Sequence, residues 1–196
     1  MDENILDEID ELFARAERAC KMVEVRFSEG VVVPAINELR YCGRHLLNAH
    51  LKPDADEDLR KAKNHCQRAI YDAAEAASLI SIEAFKAFKE RFDDIQIGRV
   101  ISDYQRICKS FEDLQEMVQV SSEAGDHKLK AYEKMQSSAE AAMDHLKLFD
   151  SMKEELKKAQ SDARKAELER QRNYRLKLAG IVVSGVVAIV GILTLL

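Results

Sequence analysis

A shortage of turn-forming residues constrains this chain more than any other feature of its sequence. The 196 residues include 7 glycines and 2 prolines, while charged residues make up 33% of the chain. Folds rich in strands need many tight turns, which glycine and proline supply. The glycine-rich phosphate loops of α/β nucleotide-binding folds are missing too, since neither GxGxxG nor GxxxxGK[ST] occurs. The sequence therefore predicts an all-α protein with few, long helices.

Apolar residues repeat at spacings of three and four along five segments, the pattern of amphipathic helices. The first four predicted helices cover residues 3–27, 34–51, 55–92 and 95–120. A loop is predicted at Ser121–Asp126. From Lys128 no stop signal precedes Gly180, so one long helix with a heptad-like seam is expected there. The predicted organisation is an antiparallel helical bundle (1–126), a stalk helix (127–177) and a C-terminal transmembrane helix (178–196).

The C-terminal segment Leu178–Leu196 contains no charged residue. Its 19 residues are mostly apolar, and about 17–25 such residues suffice to cross the hydrocarbon core of a bilayer. The stretch from Arg170 to Lys177 carries four positive charges and no acid, and such flanks stay on the cytoplasmic side. We therefore predict a single-pass, tail-anchored membrane protein whose N-terminal domain is cytoplasmic.

Small residues recur on one face of this segment. Gly180, Ser184 and Ala188 are spaced four residues apart, which places them on the same side of a helix. Small residues at this spacing let helices approach closely in lipid. The pattern predicts that the protein self-associates in the membrane as a homo-oligomer.

Charge is divided unevenly along the chain, with a net −9 in residues 1–150 and +4 in residues 151–177. Within the acidic part, the second and third predicted helices are joined by a short loop and should lie antiparallel. Their cations would then form one basic patch, flanked by Tyr41 and Tyr71: Arg40, Arg44, His45, Lys63, His65 and Arg68. Basic groups interleaved with aromatic rings suit a ligand that carries phosphate and a base. In the alternative interpretation, these cations form solvated ion pairs with Glu38, Asp72 and Glu75.

The segment HCQRAIYDA at 65–73 resembles the H-x-x-x-A-x-Y-D/A-A texture of HEPN-type helical domains. A small domain of this kind before one membrane helix is similar in plan to the membrane effectors of Hailong-type antiphage defence. In that family a nucleotidyltransferase makes a nucleotide that holds a tetrameric channel closed. The resemblance implies a non-enzymatic, nucleotide-controlled effector in the bacterial inner membrane. It also implies a homo-oligomer such as a tetramer, a partner nucleotidyltransferase and a nucleotide or short oligonucleotide ligand.

Two other functions stay open. HEPN ribonucleases carry an Arg-x4–6-His motif, which matches Arg40…His45 and Arg60…His65 here; a membrane-tethered ribonuclease would use Arg40 and His45 as its catalytic pair. A tail-anchored structural or tethering protein built on a coiled coil is the third interpretation. The four cysteines contain no CxxC pair and fall inside helical patterns, so we expect buried thiols in a reducing compartment, with no metal and no cofactor.

Overall fold

The computed structural model describes residues 3–26, 32–52, 54–123 and 128–193, with side chains described outside 121–133 and 180–193. Within these ranges the chain forms six α-helices, one 3₁₀ turn and no strand, which confirms the all-α prediction. The helices are α1 (Glu3–Arg26), α2 (Val33–Leu51), α3 (Asp56–Arg91), α4 (Tyr104–Glu123), α5 (Lys128–Ser151) and α6 (Lys153–Leu193).

Helix α3 is the central element, and it packs against α1, α2, α4 and α5. Its N-terminal half contacts α1 and α2 through a face of small side chains, which lets the helix axes come close. These buried side chains are Ala62, Cys66, Ala69, Ala73 and Ala77. The apolar spacing predicted this face, and the structure confirms it.

The C-terminal half of α3 packs differently, through phenylalanine rings. Phe85 stacks on Phe111 of α4 with ring centroids 4.0 Å apart, and Phe88 stacks on Phe149 of α5 at 4.1 Å. Large rings bury much apolar surface, and stacking adds about 0.5–1.5 kcal/mol per pair. This phenylalanine cluster joins α3, α4 and α5 at the end of the bundle from which α6 leaves.

The start predicted for the fourth helix, at residue 95, is wrong. Residues 95–103 form the 3₁₀ turn Ile97–Arg99 and a loop instead of an α-helix, and α4 begins only at Tyr104. Asp103 adopts a φ of 62°, in the left-handed region that interrupts a right-handed helix. Ile97 and Ile101 are nevertheless buried, so the apolar spacing identified core residues in a non-α segment. At its other end α4 reaches Glu123, beyond the predicted start of the loop; residues 124–127 lie outside the described ranges.

The long helix predicted from Lys128 is interrupted once, at Met152. Helical hydrogen bonds continue on both sides, because Met152 N–H donates to Leu148 O and Leu156 N–H donates to Met152 O, both at 3.0 Å. The Ser151 hydroxyl also donates to Leu148 O at 2.7 Å. Back-bonding of this kind competes for a helical carbonyl and bends the helix. The stalk is therefore two helices, α5 and α6, separated by one residue.

Helix α5 belongs to the bundle, whereas most of α6 does not. Predicted seam residues from Met135 to Leu156 are buried, but every side chain from 161 to 179 is exposed. The base of α6 is held to the loop before α4, where Gln160 Nε2 and Arg164 Nε donate to the carboxylate of Asp94 at 2.7 and 3.2 Å. Beyond this anchor α6 projects from the bundle.

Among the residues that the structure describes, no helix is both long enough and apolar enough to span a bilayer. The backbone of α6 is helical to Leu193. The side chains of Gly180, Ser184 and Ala188 lie outside the described part of the chain, as do residues 194–196. The membrane span and the small-residue face therefore stay predictions.

Candidate functional site

Three aromatic side chains lie together across the antiparallel pair α2–α3. The imidazoles of His45 and His65 stack with centroids 5.2 Å apart and an interplanar angle of 12°. The Tyr41 ring is tilted against His65 with centroids 5.5 Å apart, and Tyr41 is 49% exposed. We call Tyr41, His65 and His45 the ring layer. The basic patch predicted from the sequence contained both histidines and was flanked by Tyr41, and the structure brings the three rings into contact.

Each histidine of the ring layer is held by a carboxylate from the opposite helix. His45 Nδ1 lies 2.7 Å from Asp58 Oδ1, and His65 Nδ1 lies 2.6 Å from Glu38 Oε2. A carboxylate oxygen accepts a hydrogen bond from Nδ1–H, which fixes the ring orientation and leaves Nε2 as the second ring nitrogen. The two side chains are 22% and 17% exposed. The arrangement is reciprocal, because each helix contributes one imidazole and one carboxylate.

Asp58 is the most strongly held acid of the site. Its carboxylate accepts a hydrogen bond from Lys52 Nζ at 2.6 Å as well as that from His45, and only 9% of its side chain is exposed. These two bonds, that of Lys52 first, lower the pKa of Asp58 from its ordinary 3.8 to about 2. Nothing in the sequence pattern singled out this residue as part of the patch. Its role depends on the position of His45 across the interface.

The rim of the ring layer carries three exposed arginines, Arg40, Arg44 and Arg68. Arg40 Nη1 donates to the amide oxygen of Asn37 at 2.8 Å, a neutral partner. Within the described part of the chain, none of the three forms an ion pair with a carboxylate. Their guanidinium groups therefore keep donors for a phosphate.

Next to Arg68 lies a partly buried acid, Asp72. Burial raises its pKa first, and the charges of Glu38 and Glu75 raise it further, while Arg68 lowers it. Of the acids that the alternative interpretation named, Glu38 pairs with His65 in the seam between the helices, whereas Asp58, which it did not name, holds His45.

Lys63 does not belong to this group. Its ammonium pairs with Glu8 of α1 at 2.5 Å, because position 63 faces α1 while position 65 faces α2. Tyr71 is half-buried on α3. The predicted ligand-binding residues were Arg40, Tyr41, Arg44, His45, Lys63, His65 and Arg68. The structure brings Tyr41, His45 and His65 into contact and draws Lys63 toward α1.

No group of histidine, cysteine and acidic side chains that could hold a metal ion occurs among the described residues. The arrangement can bind a polyanion through the rim arginines, stack a base on Tyr41, and move protons at two imidazole Nε2 atoms. No known protein family, curated protein or solved structure matches the chain.

The lowered pKa of Asp58 makes a prediction about acid stability. A carboxylate whose folded pKa is depressed stabilises the fold above its unfolded pKa, and that stability is lost as pH falls toward the folded value. We expect Asp58→Asn to lower the free energy of unfolding at pH 6, and the deficit relative to wild type to shrink between pH 4 and pH 2. Urea unfolding at each pH measures it.

Asp56→Asn is the matched control, because Asp56 lies on the same helix and is exposed. It should leave stability nearly unchanged throughout. A deficit of Asp58→Asn that stays constant down to pH 2 would contradict the electrostatic role of this carboxylate.

Proposed function

We propose that the chain is a nucleotide-controlled membrane effector whose α2–α3 face binds a phosphate-bearing ligand, a nucleotide or a short oligonucleotide. The observation that carries the proposal is the set of three exposed arginines, Arg40, Arg44 and Arg68, around the ring layer. Exposed guanidinium groups next to stacked rings suit phosphate and base in one ligand. The face stands out because residues 1–150 are otherwise acidic.

The C-terminal half of the proposal concerns the membrane. Leu178–Leu196 is uncharged and follows four cations, so we infer that it enters a membrane and that the cations meet anionic headgroups. Gly180, Ser184 and Ala188 would pack against other copies of the chain in a homo-oligomer, such as a tetramer, that forms a channel. By its resemblance, this effector belongs in the inner membrane of a bacterium and acts in antiphage defence, with a nucleotidyltransferase as the source of its ligand.

We infer that a change at the ligand face is transmitted toward the C-terminal segment through the helices of the bundle. Helix α3 has 36 residues, about 54 Å, and runs from the ring layer to the phenylalanine cluster where α5 packs. A ligand shifts a closed–open equilibrium only if its affinity for the two states differs. A change in the α2–α3 contact would reach α5 and α6 through this one rigid helix.

Removing rim arginines should weaken ligand binding. Hydrogen bonds to charged groups contribute about 1.5–3 kcal/mol each, so Arg44→Ala or Arg68→Ala should weaken binding about ten- to a hundredfold. The assay titrates the full-length protein in detergent with ATP and with short single-stranded RNA, at low and high salt. Binding should weaken as salt rises.

Arg106→Ala is the control for charge, since Arg106 is an exposed arginine on α4. It should bind like wild type. Equal affinities for wild type and the Arg44→Ala/Arg68→Ala double variant, or no binding by either, would identify the patch as a solvated charged face and favour the tethering function.

Truncation after Arg175 tests the membrane half separately. The full-length chain should co-float with vesicles that contain anionic phospholipid, while the truncated chain, which lacks the apolar segment, should stay in the dense fraction. Any growth arrest caused by expression in bacteria should disappear with the truncation. A truncated chain that still floats, or still arrests growth, would contradict a working role for residues 178–196.

A membrane-tethered ribonuclease is the second candidate, favoured by the carboxylate-held imidazoles. With Nδ1 occupied, His45 and His65 each present Nε2 for proton transfer. In RNA cleavage the 2′-oxygen attacks phosphorus and the bond to the 5′-oxygen breaks. One imidazole takes the 2′ proton and another group protonates the leaving oxygen. Arg40 would stabilise the charge on the phosphate.

This activity would need no metal, so it should persist in EDTA and disappear in His45→Gln. His50→Gln, which changes an exposed histidine of the same helix, should cleave like wild type. Cleavage of single-stranded RNA that survives deletion of residues 178–196 would favour the ribonuclease over the effector. If no cleavage occurs with wild-type protein, this candidate is wrong.

A further inference from the structure

Two thiols face each other in the core between α2 and α3. The Sγ atoms of Cys42 and Cys66 lie 3.2 Å apart, and neither residue has any exposed surface. All four cysteines are free. Cys20 is also buried, on α1, and Cys108 is half-buried, on α4. The close Cys42–Cys66 contact results from the small side chains between α2 and α3. They let the two helices approach until even short cysteine side chains touch.

One hydrogen bond shifts the pKa values of the two thiols in opposite directions. The Cys66 S–H donates to Cys42 Sγ, and this bond lowers the pKa of the Cys42 thiol. The same bond, together with burial, raises the pKa of Cys66. The thiolate is the nucleophile in sulfur chemistry, so these directions favour Cys42 as the attacking sulfur and Cys66 as the resolving one.

We propose that Cys42 and Cys66 are a redox-reactive dithiol, which a hydroperoxide converts into an intramolecular disulfide that links α2 to α3. This inference goes beyond the proposed function and does not depend on it. The sulfurs must close from 3.2 Å to about 2.05 Å. Hydrogen peroxide is small enough to reach buried sulfur during local opening of the helices.

The reaction balances in two steps. The Cys42 thiolate attacks one oxygen of the hydroperoxide, the O–O bond breaks, and a sulfenic acid forms as an alcohol, or water, leaves. The Cys66 sulfur then attacks the Cys42 sulfur; the S–S bond forms, the S–O bond breaks and water leaves with the Cys66 proton. Two thiols are oxidised and one hydroperoxide is reduced. A thiol reductant reverses the product by disulfide exchange.

The cross-link would lie directly beneath the ring layer. Cys42 precedes His45 by about one helical turn, and Cys66 follows His65 in the chain. A covalent bond here fixes α2 relative to α3 at the level where each helix holds the histidine of the other. Oxidation would therefore rigidify the face that carries the rim arginines.

The test treats the full-length protein with hydrogen peroxide, quenches it, and counts thiols after denaturation. Free thiols should fall from four to two, peptide mapping should join Cys42 to Cys66, and dithiothreitol should restore all four. Because this readout uses wild-type protein, it does not depend on whether a core variant folds.

Two sets of variants sharpen the result. Cys20→Ala and Cys108→Ala remove the other cysteines, and each should still lose two thiols on oxidation. Cys42→Ala and Cys66→Ala should form no intramolecular disulfide. The proposal is overturned if all four wild-type thiols persist, if the linked peptides contain Cys20 or Cys108, or if oxidation stops at sulfinic acid on Cys42.

Discussion

The close packing of α3 is the constraint on which the rest of this structure depends. Its N-terminal half presents alanine and cysteine to α1 and α2, and these side chains leave no room for water between the helices. Burying this face supplies the hydrophobic stabilisation of three helices at once. A larger residue at Ala62 or Ala69 would push α2 outward and separate each histidine of the ring layer from its carboxylate.

The polar pairs between α2 and α3 follow from the close approach of these two helices. Charged groups removed from water must find partners, and the seam provides them in alternation, with Glu38 on His65 and Asp58 on His45. The rim is different, because Arg40, Arg44 and Arg68 stay in water and need no internal partner. The same helix pair thus contains a hydrogen-bonded seam and a cationic edge. The seam keeps its histidines in fixed orientations through Asp58 and Glu38.

The sequence predicted the site well where helical geometry alone decides it. The antiparallel order of α2 and α3 and the nearness of Tyr41, His45 and His65 followed from a short loop and helical spacing. Lys63 was misplaced because pairing two helices ignored α1, whose Glu8 draws this lysine away. Asp58 was missed because an acid in the first turn of a helix already has a local explanation in the helix dipole.

Sequence by itself determined the all-α class, the positions of α1, α2 and α3, and which face of α3 is buried, because turn residues are few and apolar spacing is local information. The left-handed Asp103, the interruption at Met152 and the partners of each charge emerge only from the folded structure. Those outcomes depend on contacts between residues far apart in the chain, such as Arg164 with Asp94, or on competition for a single carbonyl, as at Leu148. The Cys42–Cys66 contact belongs with them, since a spacing of 24 residues says nothing about two sulfur atoms until two helices are packed.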